Sequence, residues 1–221
     1  MYLPEHFAES RPEAMHRLIA AFPLTTLVTL GPAGMAANHI PLLLDPDRGE
    51  FGTLIGHVAR SNEVWREGNH DGESLAVFQA SDAYISPNWY ASKQETHEVV
   101  PTWNYAVVHA YGRMIVHDDE KWVRGVVGRL TKAMEASQLV PWKMADAPAG
   151  YLKGMLANIV GIEIPVSRMI GKWKVSQNRS DADRASASAG LRSSGDPGDA
   201  EMADLIEATA ENRRGGPGSN R

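Results

Sequence analysis

The feature that most constrains this chain is a series of short β-branched and apolar segments, set off by Gly- and Pro-containing turns, with no regular strand–helix–strand alternation between them. LTTLVTL at 24–30 and MAANHIPLLL at 35–44 flank a GPAG turn and predict a hairpin. Residues 45–49, DPDRG, predict the next turn, and FGTLIGHV at 51–58 the next strand. LAVFQ at 75–79, DAYISPNWY at 82–90 and a long strand inside WNYAVVHAYGRMIVH at 103–117 continue the pattern, with two further strands expected at 158–165 and 168–176. Without βαβ units the Rossmann and TIM architectures are excluded. The series predicts a mainly β, antiparallel, Greek-key-like barrel with peripheral α-helices.

Helical spacing is confined to a few places. Ser10-Arg11-Pro12-Glu13 reads as a capping box ahead of Met15, Leu18, Ile19 and Phe22, and Pro23 stops that run. A short helix is expected at 61–67. Trp122, Val123, Val126, Val127, Leu130 and Met134 form one apolar stripe over 118–135, which is packing rather than chemistry. Tyr151–Leu156 predicts another helical turn. From Ser180 the chain turns rich in Ala, Ser, Gly and Asp, so little core is expected from it. Ser180 can cap one short helix there, and Met202, Leu205 and Ile206 give a second a docking face. The organisation expected is one barrel domain over 1–179 and an extension over 180–221 with short helices and a disordered end.

Charge and cysteine usage bound the function. The net charge is −5 and there is no cysteine, which rules out disulfides, thiolate metal sites and Cys nucleophiles. The N-terminus carries no secretory signal pattern and no stretch reaches the ~18 apolar residues of a spanning helix, so a cytoplasmic protein away from the membrane is expected. Acid is concentrated early: residues 1–99 hold 6 Lys/Arg against 13 Asp/Glu, and residues 100–221 hold 16 against 14. Basic residues are densest from Arg168 to Arg184, a solvated face in the simplest reading. The acidic total and the absence of a helix-turn-helix or basic stripe argue against tight direct DNA binding.

No G-x-S-x-G elbow, Walker loop, G-x-G-x-x-G turn or H-E-x-x-H helix is present. His109 and His117 share a strand but stand ~26 Å apart at ~3.3 Å per residue, too far to chelate one metal, so no metal site is expected. Three polar-aromatic segments remain. In His57-Val-Ala-Arg60-Ser61-Asn62 a strand gives way to a helix, where Arg60, Ser61 and free amides suit an anion, although a helix cap with an exposed Arg would read the same. Val100-Pro-Thr-Trp103-Asn104-Tyr105 offers flat faces and an amide to a planar heterocycle, or a buried corner of the core. Gly171-Lys-Trp-Lys174-Val-Ser-Gln177-Asn-Arg179 joins cations to amides, as a lysine-protected edge strand also would.

Together these segments resemble the PaiB family of FMN-binding proteins, described as negative transcriptional regulators and related to pyridoxamine-phosphate-oxidase-like split barrels. The resemblance runs through MYLPEHF, NHIPLLL, GHVARSN at 56–62, VFQASDAYISPNWY at 77–90, VPTWNY at 100–105, GRM at 112–114 and KWKVSQNR at 172–179. Ala80-Ser81-Asp82 stands where the pattern has Gly-Pro, a change of turn geometry rather than of a ligand. The resemblance implies an FMN-binding split β-barrel and a homodimer with flavin between subunits. It makes Arg60, Ser61 and Asn62 phosphate-end candidates, Trp103 and Asn104 ring-end candidates, and Lys174 and Gln177 further contributors, with His57 orienting the loop. Two outputs follow from it: a regulator that senses a small-molecule ligand or binds a partner, or a flavin-dependent oxidoreductase, for which no catalytic acid or base can be named.

Overall fold

A computed structural model describes residues 1–67 and 72–214, with side chains to residue 210. In chain order the elements are β1 (Ala8–Glu9), α1 (Pro12–Ala21), β2 (Leu24–Gly31), β3 (Gly34–Asp45), β4 (Thr53–Ala59), α2 (Val64–Glu67), β5 (Glu73–Ile85), α3 (Lys93–Thr96), β6 (Thr102–Arg113), β7 (Ile115–His117), α4 (Glu120–Met134), α5 (Ala149–Ala157), β8 (Ile159–Lys174), α6 (Asp181–Ser193) and α7 (Pro197–Arg214). The strands pair in the order β1-β8-β4-β3-β2-β5-β6, β7 also lies on β8, and β8 pairs with β6 as well. That last pairing closes β8-β4-β3-β2-β5-β6 on itself, the expected barrel with peripheral helices.

The chain divides into two compact units. The larger holds Arg11–Phe78 and Val108–Ile170, the smaller Met1–Ser10, Gln79–Val107 and Gly171–Arg221. β5, β6 and β8 each have parts in both.

In the larger unit β2 and β3 pair from Leu24↔Pro41 to Gly31↔Gly34, so the hairpin turns on Pro32 and Ala33 as the GPAG segment predicts. β2 buries alternate residues Thr25, Leu27 and Thr29. β4, by contrast, is buried on both faces from Thr53 to Ile55, because α4 covers its outer side. Val126 and Leu130 of the predicted stripe pack on Ile55, with Leu43 and Trp122 at the margin. Trp122 stacks on His117, ring centroids 4.0 Å apart and planes 11° apart. Its room comes from Gly161, where an added Cβ would lie 2.2 Å from Trp122 Cζ3. Beneath, buried Glu163 accepts from Arg48 Nη2 at 2.8 Å and lies 3.4 Å from His117 Nε2.

In the smaller unit α6 buries Ala187 and Leu191, while α7 buries Met202, Ala203 and Ile206. Ser180 caps α6 as expected, its Oγ accepting from Asp183 N at 3.1 Å. Asp183 also accepts from Ser92 N and Oγ at 2.8 and 2.9 Å. Buried Arg184 donates to the Ile206 carbonyl at 2.8 Å. The tail therefore adds more core than its composition suggests: small Ala residues allow close helix approach, and few large side chains then suffice. The end at 215–221 lies outside the described residues.

Three local expectations are corrected. The capping box at Ser10 does not form. Pro12 at the first helical position holds Arg11 extended (φ −79, ψ 115), which makes Arg11 the N-cap and leaves Ser10 one residue too early. The segments 75–79 and 82–90 are one continuous strand to Ile85, because Ala80, Ser81 and Asp82 include no Gly or Pro to break it. Likewise 158–165 and 168–176 are a single strand: Pro165 is accommodated opposite Thr53, and the Val166 amide donates to the Gly52 carbonyl at 3.0 Å. The long strand expected inside 103–117 is β6, after which buried Met114 leads into β7.

Candidate functional site

The first candidate segment follows β4 in the larger unit. Arg60 is tied down on every side there. Nε donates to the Ala157 carbonyl at 2.7 Å, Nη1 to Asp118 Oδ2 at 2.9 Å, and Nη2 to Asp118 Oδ1 at 2.5 Å. This bidentate pair neutralises the guanidinium and holds the Asp118 carboxyl below its usual range. The Arg60 amide donates to the Asn158 carbonyl at 2.8 Å, and Trp65 Nε1 donates to the Arg60 carbonyl at 2.9 Å. Asn62 caps α2, its Oδ1 accepting from Val64 N at 3.0 Å while Nδ2 donates to Asn38 Oδ1 at 2.8 Å. Ser61 is exposed. A cavity of about 400 Å³ lies here, lined by Thr29, Asn38, Ser61 and Asn62 but also by Glu63 and Glu67. The cavity suits hydroxyls and amides better than an anion. His57, on β4, is pushed below its ordinary pKa by burial, and its Nδ1 is buried with no hydrogen-bond partner.

The second and third segments meet in the smaller unit, where β6 begins and β8 ends. Strand alternation sends Trp103 outward and Asn104 inward. Trp103 is 55% exposed and meets Tyr84, itself 47% exposed, edge to face at 5.9 Å between centroids. Asn104 is 1% exposed; Nδ2 donates to Ser176 Oγ at 2.9 Å, and Oδ1 is buried with no hydrogen-bond partner. Lys174 Nζ donates to Thr102 Oγ1 at 2.5 Å and to the Trp103 carbonyl. Burial pushes its pKa down, and the charges of Lys172 and Arg179 push the same way. Gln177 is engaged locally: Oε1 accepts from Val175 N at 2.8 Å and Nε2 donates to the Trp173 carbonyl at 2.5 Å. These bonds hold Ser176 at φ 63, in the left-handed region rare outside Gly.

The expected residues thus fall into two groups, Arg60, Ser61 and Asn62 in the larger unit and Trp103, Asn104, Lys174 and Gln177 in the smaller. The sequence reading missed Asp118, for which a partner 58 residues away leaves no local signal, and Lys172. The latter was legible in retrospect, since Lys-Trp-Lys in a strand puts both lysines on one face. Among the described residues no group of three His, Asp or Glu side chains could hold a metal ion, and no helix is long and apolar enough to cross a membrane.

A split β-barrel is the class of fold that this architecture defines. Solved structures with the same fold include the flavocytochrome Anf3 of Azotobacter vinelandii, with a TM-score of 0.57 at 10% identity over 78% of this chain and 72% of that one. An FAD and heme binding protein of Mycobacterium smegmatis matches with a TM-score of 0.52 at 16% identity over 76% and 73%. At the level of family, residues 1–168 match the model described as "Putative FMN-binding domain". The chain is also 30% identical to the protease synthase and sporulation protein PAI 2 of Bacillus subtilis over 94% of its own length and 97% of that protein. An uncharacterised protein of Emericella nidulans is 30% identical over 96% and 98%. The chain belongs to this PaiB-type FMN-binding family, and FMN is its cofactor. The residues fit that group in kind: an orphaned buried amide oxygen at Asn104, exposed rings at Trp103 and Tyr84, and an ammonium at Lys174 bonded to neutral oxygens.

Proposed function

We propose that the protein is a cytoplasmic homodimer that carries FMN and acts as a PaiB-type negative regulator of transcription through its bound flavin. The observation that carries the flavin reading is the group at the start of β6, where the exposed rings of Trp103 and Tyr84 offer a planar ligand flat faces and Lys174, bonded to neutral oxygens, supplies an ammonium. Near-full-length likeness to PAI 2 of Bacillus subtilis, named for protease synthase and sporulation, supports the PaiB-type reading from which the regulatory role is taken. A net charge of −5 supports indirect regulation, by response to a small-molecule ligand or through a partner protein, over tight contact with DNA by the protein alone. The exposure of Trp103 favours one second reading, an oxidoreductase, because it leaves a surface that a small substrate can reach. Electron exchange would be supplied by the flavin; this chain would bind and orient.

Arg60, Ser61 and Asn62 are the phosphate-end candidates of this reading. A direct phosphate contact at Arg60 predicts that Arg60→Ala weakens FMN about tenfold to a hundredfold while riboflavin is unchanged. A structural clamp, which the Asp118 pairing supports, predicts equal loss of both flavins together with lost stability. The main test is a titration of the full chain with FMN by absorbance and fluorescence, with gel filtration for the dimer and anisotropy against promoter DNA. A flavin spectral shift without nanomolar sequence-selective DNA binding is expected. No shift at any FMN concentration would overturn the reading, and substrate-dependent turnover of bound FMN would select the enzyme.

A further inference from the structure

The two units differ in their electrical balance. In the larger, Arg60 is neutralised by Asp118 and the neighbouring cavity carries Glu63 and Glu67. In the smaller, β8 ends on Lys172 and Lys174, one residue apart and therefore on one face of the strand. Lys172 is 7% exposed, and its Nζ donates to the Tyr2 carbonyl at 3.1 Å. The same ammonium stands 5.3 Å from the centroid of Tyr105. Lys174 is half-buried and bonds only the Thr102 hydroxyl and the Trp103 carbonyl. Among the described residues neither lysine has a carboxylate partner. Arg179, over the ring of Tyr90 at 4.7 Å, adds a third positive field.

Two desolvated ammoniums with neutral partners are costly, since buried charges are ordinarily paired. An arriving anion would offset that cost. The charge to be met is close to two, which a carboxylate cannot balance and a phosphomonoester, at ~−1.5 to −2 near neutral pH, does. The surroundings add a second requirement. Trp103 and Tyr105 alternate onto the outward side of β6, where the Tyr105 ring stands at the Lys172 ammonium and the Trp103 ring, two residues along the same side, is exposed, so Lys172 adjoins flat aromatic surface.

We propose that Lys172 and Lys174 form the counter-charge site for a phosphomonoester borne on a planar ring system that docks against Trp103. The phosphate comes either from FMN itself, in which case the site rests on the flavin reading above with the lysines, not Arg60, meeting the phosphate, or from a separate phosphorylated aromatic ligand. Tyr2, 83% exposed, gives up one neutral hydrogen bond and a ring contact at 5.7 Å when the phosphate reaches Lys172.

The test titrates FMN, riboflavin and phenyl phosphate into the full chain and into Lys172→Met, Lys174→Met and their Arg counterparts. Each Met variant is expected to weaken phosphate-bearing ligands about tenfold to a hundredfold and riboflavin less than twofold, with the Arg variants retaining most of the affinity. Thermal melts accompany each variant, and Met, an apolar stand-in of similar length, should leave the midpoint unchanged or raised. Competition between phenyl phosphate and FMN assigns the site to the flavin phosphate; Lys174-dependent binding of phenyl phosphate to FMN-saturated protein assigns it to a second ligand. Either result supports the site. Equal losses for FMN and riboflavin would overturn it, as would phosphate ligands indifferent to both lysines. If the wild type ignores FMN yet binds phenyl phosphate through Lys174, the flavin reading fails and the site stands; FMN binding untouched by the lysines gives the reverse.

Discussion

Gly161→Ala tests whether the seat of α4 depends on one missing methyl group. The new Cβ would sit 2.2 and 2.4 Å from Trp122 Cζ3 and Cε3 and 3.1 Å from the His117 carbonyl. Backbone on both flanks is held by ladders, Gly161 being paired with His57 and with His117, so the indole must move. Overpacking of this kind costs ~1–3 kcal/mol. Displacing the indole also forfeits its stack on His117, worth ~0.5–1.5 kcal/mol. Against this, Ala in place of Gly narrows the unfolded ensemble by ~0.4–1 kcal/mol. The net loss is roughly 0.5–4 kcal/mol, readable as a lower urea midpoint followed by tryptophan fluorescence. The decisive comparison repeats the substitution in a Trp122→Leu background, where the clash has no partner and the cost should fall below ~0.5 kcal/mol. A neutral Gly161→Ala, or an equal cost in both backgrounds, would refute the reasoning.

Burial holds His57 and His109 below the ordinary histidine pKa, so the unfolded chain binds protons that the folded chain refuses. Stability should be level above about pH 6.5 and fall as the pH drops below it, with a shallower slope in His57→Gln/His109→Gln, measured as urea midpoints at several pH values. Asp183→Ala strips Ser92 of an ionised acceptor for both its amide and hydroxyl and should cost about 1.5–3 kcal/mol by thermal melt; an unchanged midpoint would mean that α6 does not depend on this cap. Ile206→Ala should cost about 2–5 kcal/mol, since the side chain is 1% exposed between tail helices, whereas deletion of 215–221, which carries nothing apolar, should leave the midpoint in place.

The barrel was legible because its strands announce themselves locally. Leu24–Gly31 and Gly34–Asp45 alternate around a two-residue turn, and the stripe Val123, Val126, Leu130 faces the strands it predicts. What misled the reading was punctuation. Pro165 suggested a break where β8 runs through, because the Val166 amide finds its acceptor at distant Gly52, and Ser10 suggested a cap that Pro12, inside the same motif, displaced by holding Arg11 extended. The site was legible as segments and not as chemistry. Arg60 stands in the segment singled out for an anion, yet its charge is met by Asp118 from elsewhere in the chain, a pairing that no local pattern encodes. Lys172 was counted as part of a solvated basic face, and only the neutral oxygens around it and Lys174 reveal a charge awaiting a partner.

The division of the chain has a consequence for its biosynthesis. The smaller unit is assembled from Met1–Ser10, Gln79–Val107 and Gly171–Arg221, whereas the larger comes in two segments of similar length, Arg11–Phe78 and Val108–Ile170. As the chain emerges from the ribosome, its first ten residues must wait for about 160 more before β1 finds its antiparallel mate at Gly171 and Lys172. The lysines arrive with that mate. Nascent chains that stall short of residue 171 would contain the strands of the larger unit but neither ammonium, so a product truncated there is expected to fail to take up a phosphate-bearing ligand through these lysines.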